Sequence, residues 1–140
     1  MIKKNVVNQK LITMKQYLSE LEILARHSLD EYLRDFTIKR STERLIQVIV
    51  ECAIDCNNLI LVGLGDSPPV DYKESFTKLV AHAVIPMDFV SRLIPYVSIR
   101  NRIVHEYNQL KDDLVYAIIN TLLQDMKRYQ QLIINYLKTV

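Results

Sequence analysis

Residues 100–107 read Arg-Asn-Arg-Ile-Val-His-Glu-Tyr, and no other stretch of the 140-residue chain gathers an arginine pair, an amide, an imidazole, a carboxylate and a phenol so closely. An imidazole titrates near neutrality and can take a proton from one oxygen and hand it to another, whereas a guanidinium holds a phosphate in a forked, two-contact geometry. Together these groups suit cleavage of a phosphodiester. RNA carries its own nucleophile, the ribose 2′-hydroxyl, so a protein needs only a base, an acid and positive charge on the phosphate, without a metal. On that chemistry His105 is the candidate general acid or base, Arg100 holds the scissile phosphate, Asn101 positions one of them, and Arg102 is a second phosphate contact.

Each residue also has an ordinary reading. Arg102 and Glu106 stand at i, i+4 and equally describe a surface ion pair, contributing under ~1 kcal/mol. A histidine taken singly is as readily solvated or structural, and Tyr107 as readily a buried phenol bonded to a carbonyl. His27 and His82 read as bystanders.

Spacing constrains the chemistry further. At ~100° per residue, five positions put Arg100 and His105 ~140° apart on a regular helix, nearly opposite, while Asn101 and His105 lie only ~40° apart. Either the helix breaks around Val104 to Tyr107, or a second copy of the chain supplies complementary groups. A two-fold dimer is favoured, because it sets two such segments face to face and doubles the positive charge at a shared cleft. Its apolar surface would come from the third helix or the segment after Pro86.

The elements that must hold this segment are helices. Two glycines and four prolines are too few for the turns of a sandwich or barrel. With 49% hydrophobic and 24% charged residues the chain is neither disordered nor crossed by an apolar run approaching the ~20 residues that span a bilayer. A chain of 16.4 kDa should fold to ~7,500 Å² of accessible surface, enough for one domain over residues 1–140. The net charge of +2 excludes tight, sequence-blind binding to nucleic acid, so any RNA contact must be local. Met1 to Asn5 is basic but no apolar leader follows, and a cytoplasmic protein without a membrane partner is expected. Cys52 and Cys56 share a helix face and read as core residues, with neither disulfide nor metal, since a zinc site needs about four ligands.

Leu11, Met14, Leu18, Leu21 and Ala25 mark a first amphipathic helix, and Leu29, Leu33 and Phe36 a short second piece. Ser41 and Thr42 offer caps for a third, whose seam is Leu45, Ile49, Cys52, Cys56, Leu59 and Gly63. Its polar stripe carries Glu51 and Asp55 one turn apart, as possible cleft or partner contacts. A loop from Gly63 to Val70 leads to Asp71 and Glu74, which resemble a capping box. Pro86 fits position N1 of the next helix, Pro95 implies a kink or restart, and a last helix begins near Asp112 or Asp113.

The run Arg40-Ser41-Thr42-Glu43-Arg44, then Glu51 and Asp55, then Pro69, Tyr72 and Glu74, then Arg100 to Tyr107 resembles, in order, the HepT-like toxins of the HEPN superfamily, marked by Arg, four residues, His, any residue, Tyr. The likeness covers roughly residues 8–136. It implies an all-α, up-and-down HEPN-like bundle of about five to six helices that forms a two-fold homodimer. It also implies a metal-independent endoribonuclease with no cofactor of its own, the toxin of a toxin–antitoxin pair. The partner would be a minimal nucleotidyltransferase antitoxin that uses ATP to place AMP on the motif tyrosine, here Tyr107. A bulky anion two residues from His105 would fill an RNA cleft and offset the arginine charge. The competing reading is a non-catalytic helical dimer that binds such a partner and is modified by it.

Overall fold

A computed structural model describes residues 1–105 and 110–140. Among the described residues six helices follow one another: α1 (Lys4–Leu24), α2 (Leu29–Arg34), α3 (Phe36–Gly63), α4 (Tyr72–Ala81), α5 (Met87–His105) and α6 (Asp112–Leu137). Among the described residues there is no strand. The accessible surface is 7848 Å², close to the ~7,500 Å² expected of a folded chain of this mass.

The 3–4 spacing of α1 buries Val7, Leu11, Met14, Leu18 and Leu21 along α3. In α2 the apolar residues expected inward, Leu29 and Leu33, are instead exposed, as is Phe36 just beyond it. Tyr32 takes the buried position, because its ring packs 5.3 Å from that of Tyr116 on α6 and covers more surface than a leucine would. Ser28 caps α2 reciprocally: its hydroxyl accepts from Glu31 N and its own N–H donates to the Glu31 carboxylate.

Helix α3 starts earlier than Ser41 and Thr42 implied. Asp35 accepts from Thr37 N at 2.8 Å, and with no glycine or proline up to Ser41 nothing stops the helix propagating from that cap, so both hydroxyl residues lie inside it. Ile46, Ile49, Val50, Cys52, Ala53, Cys56, Ile60 and Leu61 are buried, since α3 is covered by α1 on one side and by α4 and α5 on another. By length and composition α3 could cross a bilayer, with mean hydropathy 1.7 over its most apolar 18 residues, of which 56% are buried inside the protein. It ends at Gly63, where a Cβ would meet the Ile2 backbone at 2.5 Å, and Gly65 turns the chain with φ +76°.

Pro86 accepts from Phe89 N and Val90 N through its carbonyl, which places it at the N-cap of α5 and not at N1. Helix α5 runs through Pro95 without a restart, because that ring faces solvent, where the carbonyl bond it displaces can be replaced by water. Helix α6 starts at Asp112 as its carboxylates imply.

Candidate functional site

The last turns of α5 meet the N-terminus of α4 at an open groove of about 510 Å³, lined by Val70, Asp71, Tyr72, Arg100, Asn101 and His105. Two elements make it. The α3–α4 loop folds back so that Asp71 caps α4, accepting from Glu74 N at 2.8 Å, while Glu74 accepts from Val70 N at 3.1 Å, one residue earlier than a usual capping box. The loop is latched at its other end by Asp66, which takes a 2.9 Å hydrogen bond from the His82 ring and lies 3.4 Å from Lys78 Nζ. His82 is therefore a loop anchor and not a bystander. Its hydrogen bond and that of Ser67 N hold the Asp66 carboxyl at about 2, below the usual carboxylate range. His27 likewise has a carboxylate neighbour, Glu31 at 3.5 Å.

Arg100 is buried, 9% exposed, and its guanidinium is fixed from three directions. Nε and Nη2 donate to one Glu51 oxygen at 3.0 and 2.7 Å, Nη1 donates to Asn101 Oδ1 at 3.1 Å, and Cζ sits over the Tyr72 ring, 5.0 Å from its centre. Gln47, one turn before Glu51 on α3, donates to the same oxygen at 3.1 Å. A guanidinium has five N–H donors. Among the described residues Glu51 takes two and Asn101 one, leaving one N–H on each terminal nitrogen for a further acceptor such as a phosphate oxygen.

His105 is exposed and lines the same groove, on the face it shares with Asn101 as their four-residue spacing requires. No break is needed up to that point, for α5 is regular through His105. The long Arg100 side chain, not a bend in the helix, brings its charge to the groove across the angular gap.

The remaining candidates separate. Glu51 joins the site, whereas Asp55, a turn further along α3, pairs with Lys10 of α1 at 3.2 Å and raises that ammonium's pKa. Arg102 is exposed and lines a different cavity of about 260 Å³ with Ile99, Leu110, Lys111 and Leu114, so it does not share the groove with Arg100 in one protomer. Tyr107 and Glu106 lie outside the described residues. Sequence reasoning about the site had omitted Gln47 and had not given Tyr72 a place in it. Gln47 stands four residues before Glu51, a spacing that signals a shared face but not which side chain the face meets. Cys52 and Cys56 are free, buried thiols on the far side of α3, with burial pushing Cys56 up to about 12.

The helical bundle formed by the described residues has the fold of HEPN toxins. It superposes on the tri-AMPylated Shewanella oneidensis HEPN toxin, in complex with its MNT antitoxin, with a TM-score of 0.84 at 25% identity, covering 91% of this chain and 96% of that one. The sequence profile of the HepT-like ribonucleases (Ribonuclease HepT-like) matches residues 14–133, and the chain belongs to that family. It is 32% identical over 135 residues to the tRNA nuclease HepT of Aphanizomenon flos-aquae, covering 96% of this chain and 92% of that protein. Over 125 residues it is 25% identical to the mRNA nuclease HepT of Shewanella oneidensis, covering 89% and 93%.

Proposed function

We propose that the chain is the endoribonuclease toxin of a toxin–antitoxin pair, acting without a metal in the cytoplasm as a two-fold homodimer. The observation that carries the reading is the Arg100 fork, aimed by Glu51 and Asn101 into the groove that His105 also lines. In the reaction a 2′-hydroxyl gives its proton to a His105 imidazole and attacks the adjacent phosphorus. The bond to the 5′-oxygen breaks, and that oxygen leaves with a proton from an imidazolium, giving a 2′,3′-cyclic phosphate and a 5′-hydroxyl. Arg100 holds the non-bridging oxygens while their charge grows. Asn101 keeps the guanidinium aligned, and Arg102, on another face of α5, meets phosphate from the partner protomer's side.

The partner is a minimal nucleotidyltransferase antitoxin that uses ATP to place AMP on Tyr107, which adds negative charge two residues along the chain from His105. The complexed, AMPylated Shewanella toxin supports this reading. The test is cleavage of RNA by the purified chain with chelator present: His105→Ala should abolish it and leave the fold and dimer intact. An unchanged rate in that variant overturns the assignment, and binding of the partner with no cleavage by the wild type favours a non-catalytic module. Intact mass after co-expression with the partner should show AMP on the wild type and none on Tyr107→Phe.

A further inference from the structure

We infer that Tyr72 is a stacking platform for a nucleobase of the strand whose phosphate the groove holds, an inference that rests on the ribonuclease reading above. The groove is divided in character. Arg100, Asn101 and His105 form a polar floor, while Val70, 83% exposed, and Tyr72, 43% exposed, leave apolar surface wet at its rim. A nucleotide has the same division, an anionic phosphate joined through a sugar to a flat aromatic base.

Arg100 Cζ lies over the Tyr72 ring, 5.0 Å from its centre, and Tyr72 remains 43% exposed, so a base stacked on the open surface of that ring lies close to the guanidinium that holds the phosphate. Such stacking tolerates any base, because each presents a π-face, and it fixes the register of the strand against the floor.

The backbone that carries the ring is placed before RNA arrives. Tyr72 is the first residue of α4, and its carbonyl accepts from Ser75 Oγ at 2.7 Å. Ser75 in turn accepts from Asn57 Nδ2 at 3.2 Å, and Asn57 is bonded by the buried Tyr129 hydroxyl of α6. This hydrogen-bonded path ties the platform to the core, so little freedom is lost when a base settles on it.

The test uses the purified full chain and an oligoribonucleotide it cleaves, compared with copies carrying an abasic ribose on one or the other side of the cut linkage. Removing the stacked base should lower kcat/KM about tenfold for the wild type and for Tyr72→Phe, but less than about twofold for Tyr72→Leu. A purely structural role lowers cleavage of intact and abasic strands equally. An abasic penalty that is the same in Tyr72→Leu as in the wild type therefore overturns the platform while leaving the ribonuclease reading intact.

In a 2′-O-methyl strand that cannot be cut, 2-aminopurine at that position should be quenched by the wild type and by Tyr72→Phe, and not by Tyr72→Leu. Absence of quenching by the wild type overturns the platform. Tyr72-dependent quenching by a wild type that leaves intact RNA uncut supports the platform and overturns the ribonuclease reading.

Discussion

One oxygen of Glu51 accepts both Nε and Nη2 of Arg100, at 3.0 and 2.7 Å, from 49 positions away in the chain. The pair aims the guanidinium and compensates its charge where only 10% of the arginine side chain meets solvent. Removing Glu51 leaves that charge without its partner.

Glu51→Ala is expected to cost about 2 kcal/mol of stability, less than a fully buried pair because Glu51 is one-third exposed. Glu51→Gln, which keeps an acceptor, should cost about 1 kcal/mol. Urea unfolding measures both. In RNA cleavage the alanine variant should lose kcat more than it raises KM, since the fork is misdirected and not removed; equal effects on both would count against an aiming role.

The Asp66 latch sets an acid limit. Its folded pKa, about 2, lies below the ordinary carboxylate value. Its stabilisation is therefore fully present above the unfolded pKa near 4 and is lost as pH falls toward 2. Thermal midpoints followed from pH 5 to pH 2 should fall more steeply for the wild type than for Asp66→Asn, which has no such group to protonate. Parallel curves would show that the latch does not contribute.

Tyr129→Phe is expected to destabilise the protein by about 1–3 kcal/mol in denaturant titration. Its hydroxyl lies within hydrogen-bond reach of the Ala53 carbonyl, at 3.0 Å, and of Asn57 Oδ1, which share its single proton inside a core where the ring is fully covered, so deletion leaves the Asn57 oxygen without that donor. RNA cleavage should weaken as well, because Asn57 bonds Ser75, which holds the Tyr72 carbonyl.

Cys52 and Cys56 should resist thiol reagents in the native state. Both are buried, 7% and 0% exposed, and burial raises both thiol pKa values, so thiolate is scarce at neutral pH. A disulfide-exchange reagent should react with neither over minutes in buffer and with both in strong denaturant. Rapid native reaction of either would show that α3 opens on its α1 side.

The helices and the face shared by Asn101 and His105 were legible in the sequence because both are local. Spacing of three and four residues reports the face of a helix directly, as in Leu11, Met14, Leu18 and Leu21, and the shared face of Asn101 and His105 follows from the same rise and turn. Caps were legible where one strong candidate stood alone, as at Asp71, and misread where Asp35 preceded Ser41 and Thr42 in a stretch with no breaker. Which carboxylate of α3 meets Arg100 was not legible. Glu51 and Asp55 share a stripe one turn apart, and only the rotation and sliding of α3 against α5, set by packing of the whole core, turns Glu51 to the arginine and leaves Asp55 to Lys10. The place of Tyr72 was decided in the same way: a loop folding back through Asp66 and His82 carries it to a guanidinium far along the chain, and a contact of that kind belongs to the packed whole and to no single segment.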